Sequence, residues 1–216
     1  MKPSEVFLRS LDIRNNLIKE IDIKGDMIDD RLLPVLPYRI SNKVSLIFIG
    51  QDPTVKNSNS RHSIEYALNL DKNGSLKTYI MKICVGLDIS FENIYATNIF
   101  KYFYTKPPAQ TIHVLKAHLE PSLELLKEEL AVYLNAVIIT LGEPVLQLLA
   151  GDDVYVRNFW GYQKKNKTDG VFKRCEAKDN KLGRSFYPFP HQPSLGKEFY
   201  ANTLDDYIKF VKNDRK

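Results

Sequence analysis

Gln51 with Asp52, Asn98, and His191 each stand at or just after the end of an apolar run, and each brings a side chain with its own chemical use. A carboxylate can take a proton from water or stabilise a nearby cation. An amide can pair with the edge of an amide-like ring, and an imidazole can donate to a developing oxyanion. Together they suit hydrolysis of a heterocycle from a sugar. No metal site is expected, because His62, His113, His118 and His191 lack ligand spacing with acids or with one another. Each residue also has a plain structural use. Asp52-Pro53 makes a good turn, Asn98 can cap a helix, and His191 can close a turn beside its prolines.

These residues share a surface only if the runs before them are strands of one sheet. Val44 to Ile49 is β-branched or apolar apart from Ser45, a run without alternation that suits a strand covered on both faces. Gly50 and Pro53 then break it. Asn93–Asn98, Ala136–Leu141 and Ser185–Phe189 read as further strands. Between them, helical spacing of apolar residues is expected over 4–24 with Ser4 as N-cap, over 75–87 capped at Ser75, and over 145–149. A longer pattern over 111–134 is interrupted at Pro121, and a last helix runs from Phe199 to the C-terminus. Strands alternating with helices predict an α/β fold: a central, mostly parallel, four-stranded sheet flanked by helices on both faces, as one domain over 1–216. In such sheets ligands bind at the carboxyl ends of the strands, where the polar clusters fall.

Composition narrows the class further. Hydrophobic residues at 44% and charged residues at 26% are ordinary globular values, and no apolar stretch is long enough to span a membrane. With no apolar leader after Met1, a soluble, monomeric, cytoplasmic protein is expected, of the bacterial cytoplasm or nucleoid. Cys84 and Cys175 lack metal-ligand spacing and read as free thiols. Of the net charge of +5, the segment Arg157–Arg184 holds nine Lys or Arg against three acids, which leaves the rest of the chain at −1. Such a confined basic patch suits a polyanion such as DNA, and a solvated lysine-rich loop has the same composition. Lys101 to Pro108 interleaves aromatic and basic residues, either to stack bases beside phosphates or to pack into the core.

Gly50-Gln51-Asp52-Pro53 after a hydrophobic strand, with His191 opening a late Pro-Ser loop, resembles the uracil-DNA glycosylase superfamily. The pattern is most similar to the family-1 enzymes, whose signatures are GQDPYH early and HPSPLS late. The likeness runs in order along the chain. His62-Ser63-Ile64-Glu65-Tyr66 resembles the family's HGLxF segment, Asn98 follows the second strand as the base-reading Asn does, Leu141-Gly142 resembles a strand-ending WG, and Phe199–Leu204 is similar to the terminal helix.

The resemblance implies a three-layer sandwich and a cofactor-independent DNA glycosylase of base-excision repair, which flips uracil or a related damaged base from single- or double-stranded DNA and leaves an abasic site. It implies that Asp52 positions water and offsets charge on the deoxyribose, and that His191 stabilises the leaving base. Gln51 lends its backbone to the pocket, Tyr66 stacks on the base, and Asn98 reads its edge. Leu195 fills the vacated stack. Pro53, Ser194 and basic residues such as Lys164 and Lys165 grip phosphates. The alternative is a member that binds uracil-containing or damaged DNA without turnover. Two positions depart from the pattern. Thr54 stands where the family's Tyr crowds out the thymine methyl, a discrimination of about 1–3 kcal/mol in general. Gln192 gives His-Gln-Pro-Ser-Leu in place of His-Pro-Ser-Pro-Leu.

Overall fold

The computed structural model describes residues 1–20, 27–108, 112–163 and 170–215. Its strands are β1 (Tyr38–Arg39), β2 (Leu46–Gly50), β3 (Ile94–Asn98), β4 (Val137–Leu141) and β5 (Tyr187–Phe189), joined in one sheet in the order β1-β3-β2-β4-β5. β2 pairs parallel with β4, and β4 parallel with β5. The sheet is α/β and mostly parallel, as the alternation of runs predicts. Its four main strands match the four apolar runs, and the fifth is the two-residue β1, too short to leave a periodic signal. β2 and β3 are buried along their whole length, which is why neither alternates in polarity.

The helices are α1 (Pro3–Lys19), α2 (Ser75–Gly86), α3 (Ile112–Ala117), α4 (Leu119–Leu130), α5 (Glu143–Ala150), α6 (Val156–Phe159) and α7 (Glu198–Asp214). Their ends correct several expectations. The N-cap of α1 is Lys2 rather than Ser4, with Pro3 at the first helical position and the Glu5 carboxylate accepting the Lys2 backbone N–H at 2.8 Å. Gly74, not Ser75, caps α2. The break in the long helical pattern falls at His118, while Pro121 sits in the first turn of α4, where a missing N–H costs nothing. Around Val171 to Ala177 there are only isolated antiparallel bridges, Trp160 to Phe172 and Cys175 to Phe186. No helix among the described residues is long and apolar enough to cross a membrane.

The chain divides into two compact units, neither of them continuous in sequence. The first comprises Met1–Tyr38, Gly50–Asp71 and Ala96–Leu134. There α1 packs on α4, and Leu32, Val35, Ile64, Ala67 and Phe103 form an apolar cluster. Tyr102, Phe103 and Tyr104 are 1%, 1% and 0% exposed, so the aromatic segment after β3 is core and offers no surface to stack bases. His118, also buried, stacks on Tyr104 and shares a 3.2 Å hydrogen bond with its hydroxyl. The second unit comprises Arg39–Ile49, Lys72–Tyr95 and Asn135–Lys216. Its centre is Trp160, fully buried, whose indole N–H donates to Pro188 O at 2.7 Å and whose ring stacks on Tyr207. Phe189 and Tyr200 meet that ring edge-on. This cluster clamps β5 and α7 together and so fixes the turn between them. Cys84 and Cys175 are buried free thiols.

Candidate active site

In the first unit the end of β2 hands over to a carboxylate held on both oxygens. The Gln51 side-chain amide donates to Asp52 Oδ2 at 2.7 Å, and the Thr54 backbone N–H donates to Oδ1 at 2.8 Å. Burial pushes the Asp52 carboxyl up to about 6, against the pull of Thr54, Gln51 and the Arg61 charge. Pro53 behind it is buried. Thr54 is not a small gap in the wall: its hydroxyl accepts the Tyr104 backbone N–H at 2.8 Å and so ties the turn to the segment after β3. Arg61, 4% exposed, completes that tie by donating to the carbonyls of Val55, Tyr104 and Thr105 at 2.9, 3.1 and 2.9 Å.

Asn98, at the end of β3, lies on the neighbouring chain. Ile99 N–H and Phe100 N–H donate to the Gly50 and Gln51 carbonyls, each at 2.9 Å, which draws the two strand ends together. The Asn98 side chain is wholly buried, and neither its oxygen nor its nitrogen has a hydrogen-bond partner. Leaving such groups unpaired costs about 1–3 kcal/mol each, and buried exceptions of this kind call for an explanation. Its backbone, by contrast, is anchored. Lys101 Nζ donates to Asn98 O at 2.8 Å and pairs with Glu129 at 2.7 Å, both charges being sequestered from water.

A Cβ placed on Gly50 would stand 2.5 Å from Asn98 Oδ1 and 2.5 Å from Leu68 Cδ2, so only glycine admits both groups. Leu68 and Asn69 hold left-handed backbones at φ 56° and 52°, a strain of about 1–3 kcal/mol per residue that recurs at ligand sites. Tyr66, two residues earlier, is half-buried with its ring edge-on to Tyr38. The structure thus brings Gln51, Asp52, Thr54 and Asn98 together. It adds Gly50, Arg61, Leu68, Lys101 and Glu129, to which the sequence assigned no role in the site. Gly50 carried a signal as the residue that ends the strand. The others sit in aperiodic segments or within a helix.

In the second unit His191 opens a one-turn 3₁₀ helix, Gln192–Gly196, with Ser194 N–H donating to His191 O at 2.8 Å. Gly142, at φ 95°, packs its Cα side against His191, and a Cβ there would meet the His191 Cβ at 3.3 Å. Gln192, the departure from the family pattern, is tethered: its side-chain oxygen accepts from the Ser75 hydroxyl at 3.3 Å. His191 and Ser194 line a cleft with Glu143, Arg157 and Lys197 among others. Although His191 keeps an open surface, desolvation along the cleft wall holds its imidazole below the ordinary value, so the ring is neutral at pH 7. Leu195 is half-buried in the same turn. Lys164 and Lys165 lie outside the described residues. Among the described residues no group of three His, Cys, Asp or Glu could hold a metal ion.

No known family model matches the chain, and none of the curated protein sequences matches it.

Proposed function

We propose that the chain is a DNA glycosylase that hydrolyses the N-glycosidic bond of uracil or a related damaged base and leaves an abasic site. The observation that carries this reading is the Asn98 amide, buried and unpartnered at the end of β3, where the backbone is tied to the Gly50-Gln51 segment that leads into the desolvated Asp52. An amide oxygen and nitrogen side by side complement the N3–H and O4 of uracil, and a bound base supplies both of the hydrogen bonds that Asn98 lacks. In this reading the target nucleotide leaves the stack so that its base can reach Asn98, with Tyr66 against the ring face.

The remaining steps follow from the state of each group. Asp52, ionised above pH 6, orients a water toward C1′ and offsets the positive charge that grows on the deoxyribose. The C1′–N1 bond breaks with its electron pair going to the base, water oxygen bonds to C1′, and the water proton is released. With the Thr54 hydroxyl bound to the Tyr104 N–H, exclusion of a 5-methyl group falls to residues other than Thr54.

The test is Asp52→Asn on an oligonucleotide carrying one uracil. Excision is expected to drop about 100-fold or more, as the loss of a positioned base does in general, while affinity for the strand stays within a few-fold. Equal losses in both would make Asp52 a structural residue and remove the support for hydrolysis.

A further inference from the structure

The cleft that His191 lines is larger than one imidazole requires. It encloses about 360 Å³ within the second unit, and its wall includes Arg157, Tyr162, Ser194, Lys197 and Phe199. A volume of that order is typical of a small-molecule site. Arg157 is the ordered cation here. Its guanidinium lies over the rings of Tyr155 and Tyr162, 5.1 and 5.2 Å from their centroids, a contact that orients the plane while leaving its N–H donors free. Among the described residues neither Arg157 nor Lys197 has a carboxylate within ion-pair distance. The acid on the wall, Glu143, is engaged elsewhere, since its Oε2 accepts the Val156 backbone N–H at 2.9 Å. Two cations without an ion-pair partner, one carboxylate and the Ser194 hydroxyl thus line the cleft with aromatic surface, Tyr162 and Phe199 standing edge to face at 5.2 Å and both half-buried.

Cations and a hydroxyl suit a phosphate, and an aromatic face suits a base. We propose that this cleft is a binding subsite for one nucleotide of a DNA strand. That the strand is a glycosylase's substrate rests on the proposed function; the capacity of the cleft to hold a strand does not. The base must be unstacked to lie against Tyr162 or Phe199, because a base inside a duplex has no free face. The subsite accordingly selects single-stranded or locally opened DNA. Neither Arg157 nor Phe199 belongs to the Asp52–Asn98 constellation, so strand binding and excision can be read separately.

The experiment measures anisotropy of an end-labelled, uracil-free oligothymidylate on the full chain, with Arg157→Gln and Phe199→Ala variants whose folding is checked by circular dichroism. Arg157 is exposed, so its variant tests the cleft without disturbing the core. Each substitution is expected to weaken binding about tenfold, as loss of one stacking or cation contact does, and Arg157→Gln to lower the salt slope by about one. Folded variants that bind as the unaltered chain does overturn the proposal. Thymidine monophosphate competing as well as the oligothymidylate overturns it too, by making the cleft a site for free nucleotides. If the variants lose the strand and the unaltered chain excises no uracil, the subsite stands and the glycosylase reading falls. If uracil is excised and the variants bind normally, the subsite falls alone.

Discussion

Burial lifts the Asp52 carboxyl to about 6, so excision should fall as the pH drops through 6 and the carboxylate takes up a proton. His191 also titrates on the acid side, below its ordinary value, and must be separated from Asp52. A pH profile of His191→Gln retains the limb near pH 6 if Asp52 sets it, and loses the limb if His191 does. The same shift acts on stability. A carboxyl raised from 3.8 in the unfolded chain to about 6 in the fold contributes stability below pH 3.8 that is lost as the pH rises through 6. Asp52→Asn is therefore expected to melt higher than the unaltered protein at pH 8, with the difference gone below pH 3.8, as scanning calorimetry can follow. Asn98 makes the complementary case. Since neither amide atom has a partner, Asn98→Ala forfeits no hydrogen bond, and its cost is that of a small cavity set against relief of about 1–3 kcal/mol per unpaired group. Its melting point should stay near that of the unaltered chain while uracil excision is lost; a large drop in stability with excision intact would reverse the assignment.

At the scale of elements, the strand ends were legible in the sequence and their supports were not. The unbroken apolar runs of β2 and β3 announced strands buried on both faces, and glycine or a polar residue marked where each delivers its side chain. Lys101 gave no such sign, because a lysine beside three aromatic residues reads as a surface basic group. In the fold it is 2% exposed and joins Asn98 O to Glu129, so the charge serves to fix the end of β3. Lys101→Met removes the buried cation paired with Glu129 and is expected to destabilise by about 3–5 kcal/mol. Adding Glu129→Leu should restore most of that in urea titrations, whereas no recovery would mean that the pair does more than compensate charge. Tyr102, Phe103 and Tyr104 read either way in the sequence for the same reason, since a composition that suits stacking on bases also suits a core, and the fold makes them core. Thr54, small in sequence, proved to be a hydrogen-bonded tie, a role visible only once Tyr104 is seen opposite it.

For the whole molecule, the alternation of strands and helices sufficed for the α/β class, because burial on both faces of a parallel sheet imposes its own pattern. What alternation could not foresee was the grouping of discontinuous stretches into compact units, since long-range contacts leave no local periodicity. Charge was legible only as a sum. The excess between Arg157 and Arg184 is partly paired, Arg174 lying against Glu176 and Asp214, while Arg157 is held between two tyrosines. The glycosylase reading reduces to one chemical event, loss of a base from an intact strand, and one assay sees it directly. The full chain is incubated with an end-labelled oligonucleotide carrying a single uracil, single-stranded and annealed, and the products are treated with hot alkali. Scission at the uracil position, absent from the same oligonucleotide with cytosine there and absent with Asp52→Asn, is the expected result. Tight binding of the uracil strand with no alkali-labile site in either form would contradict it.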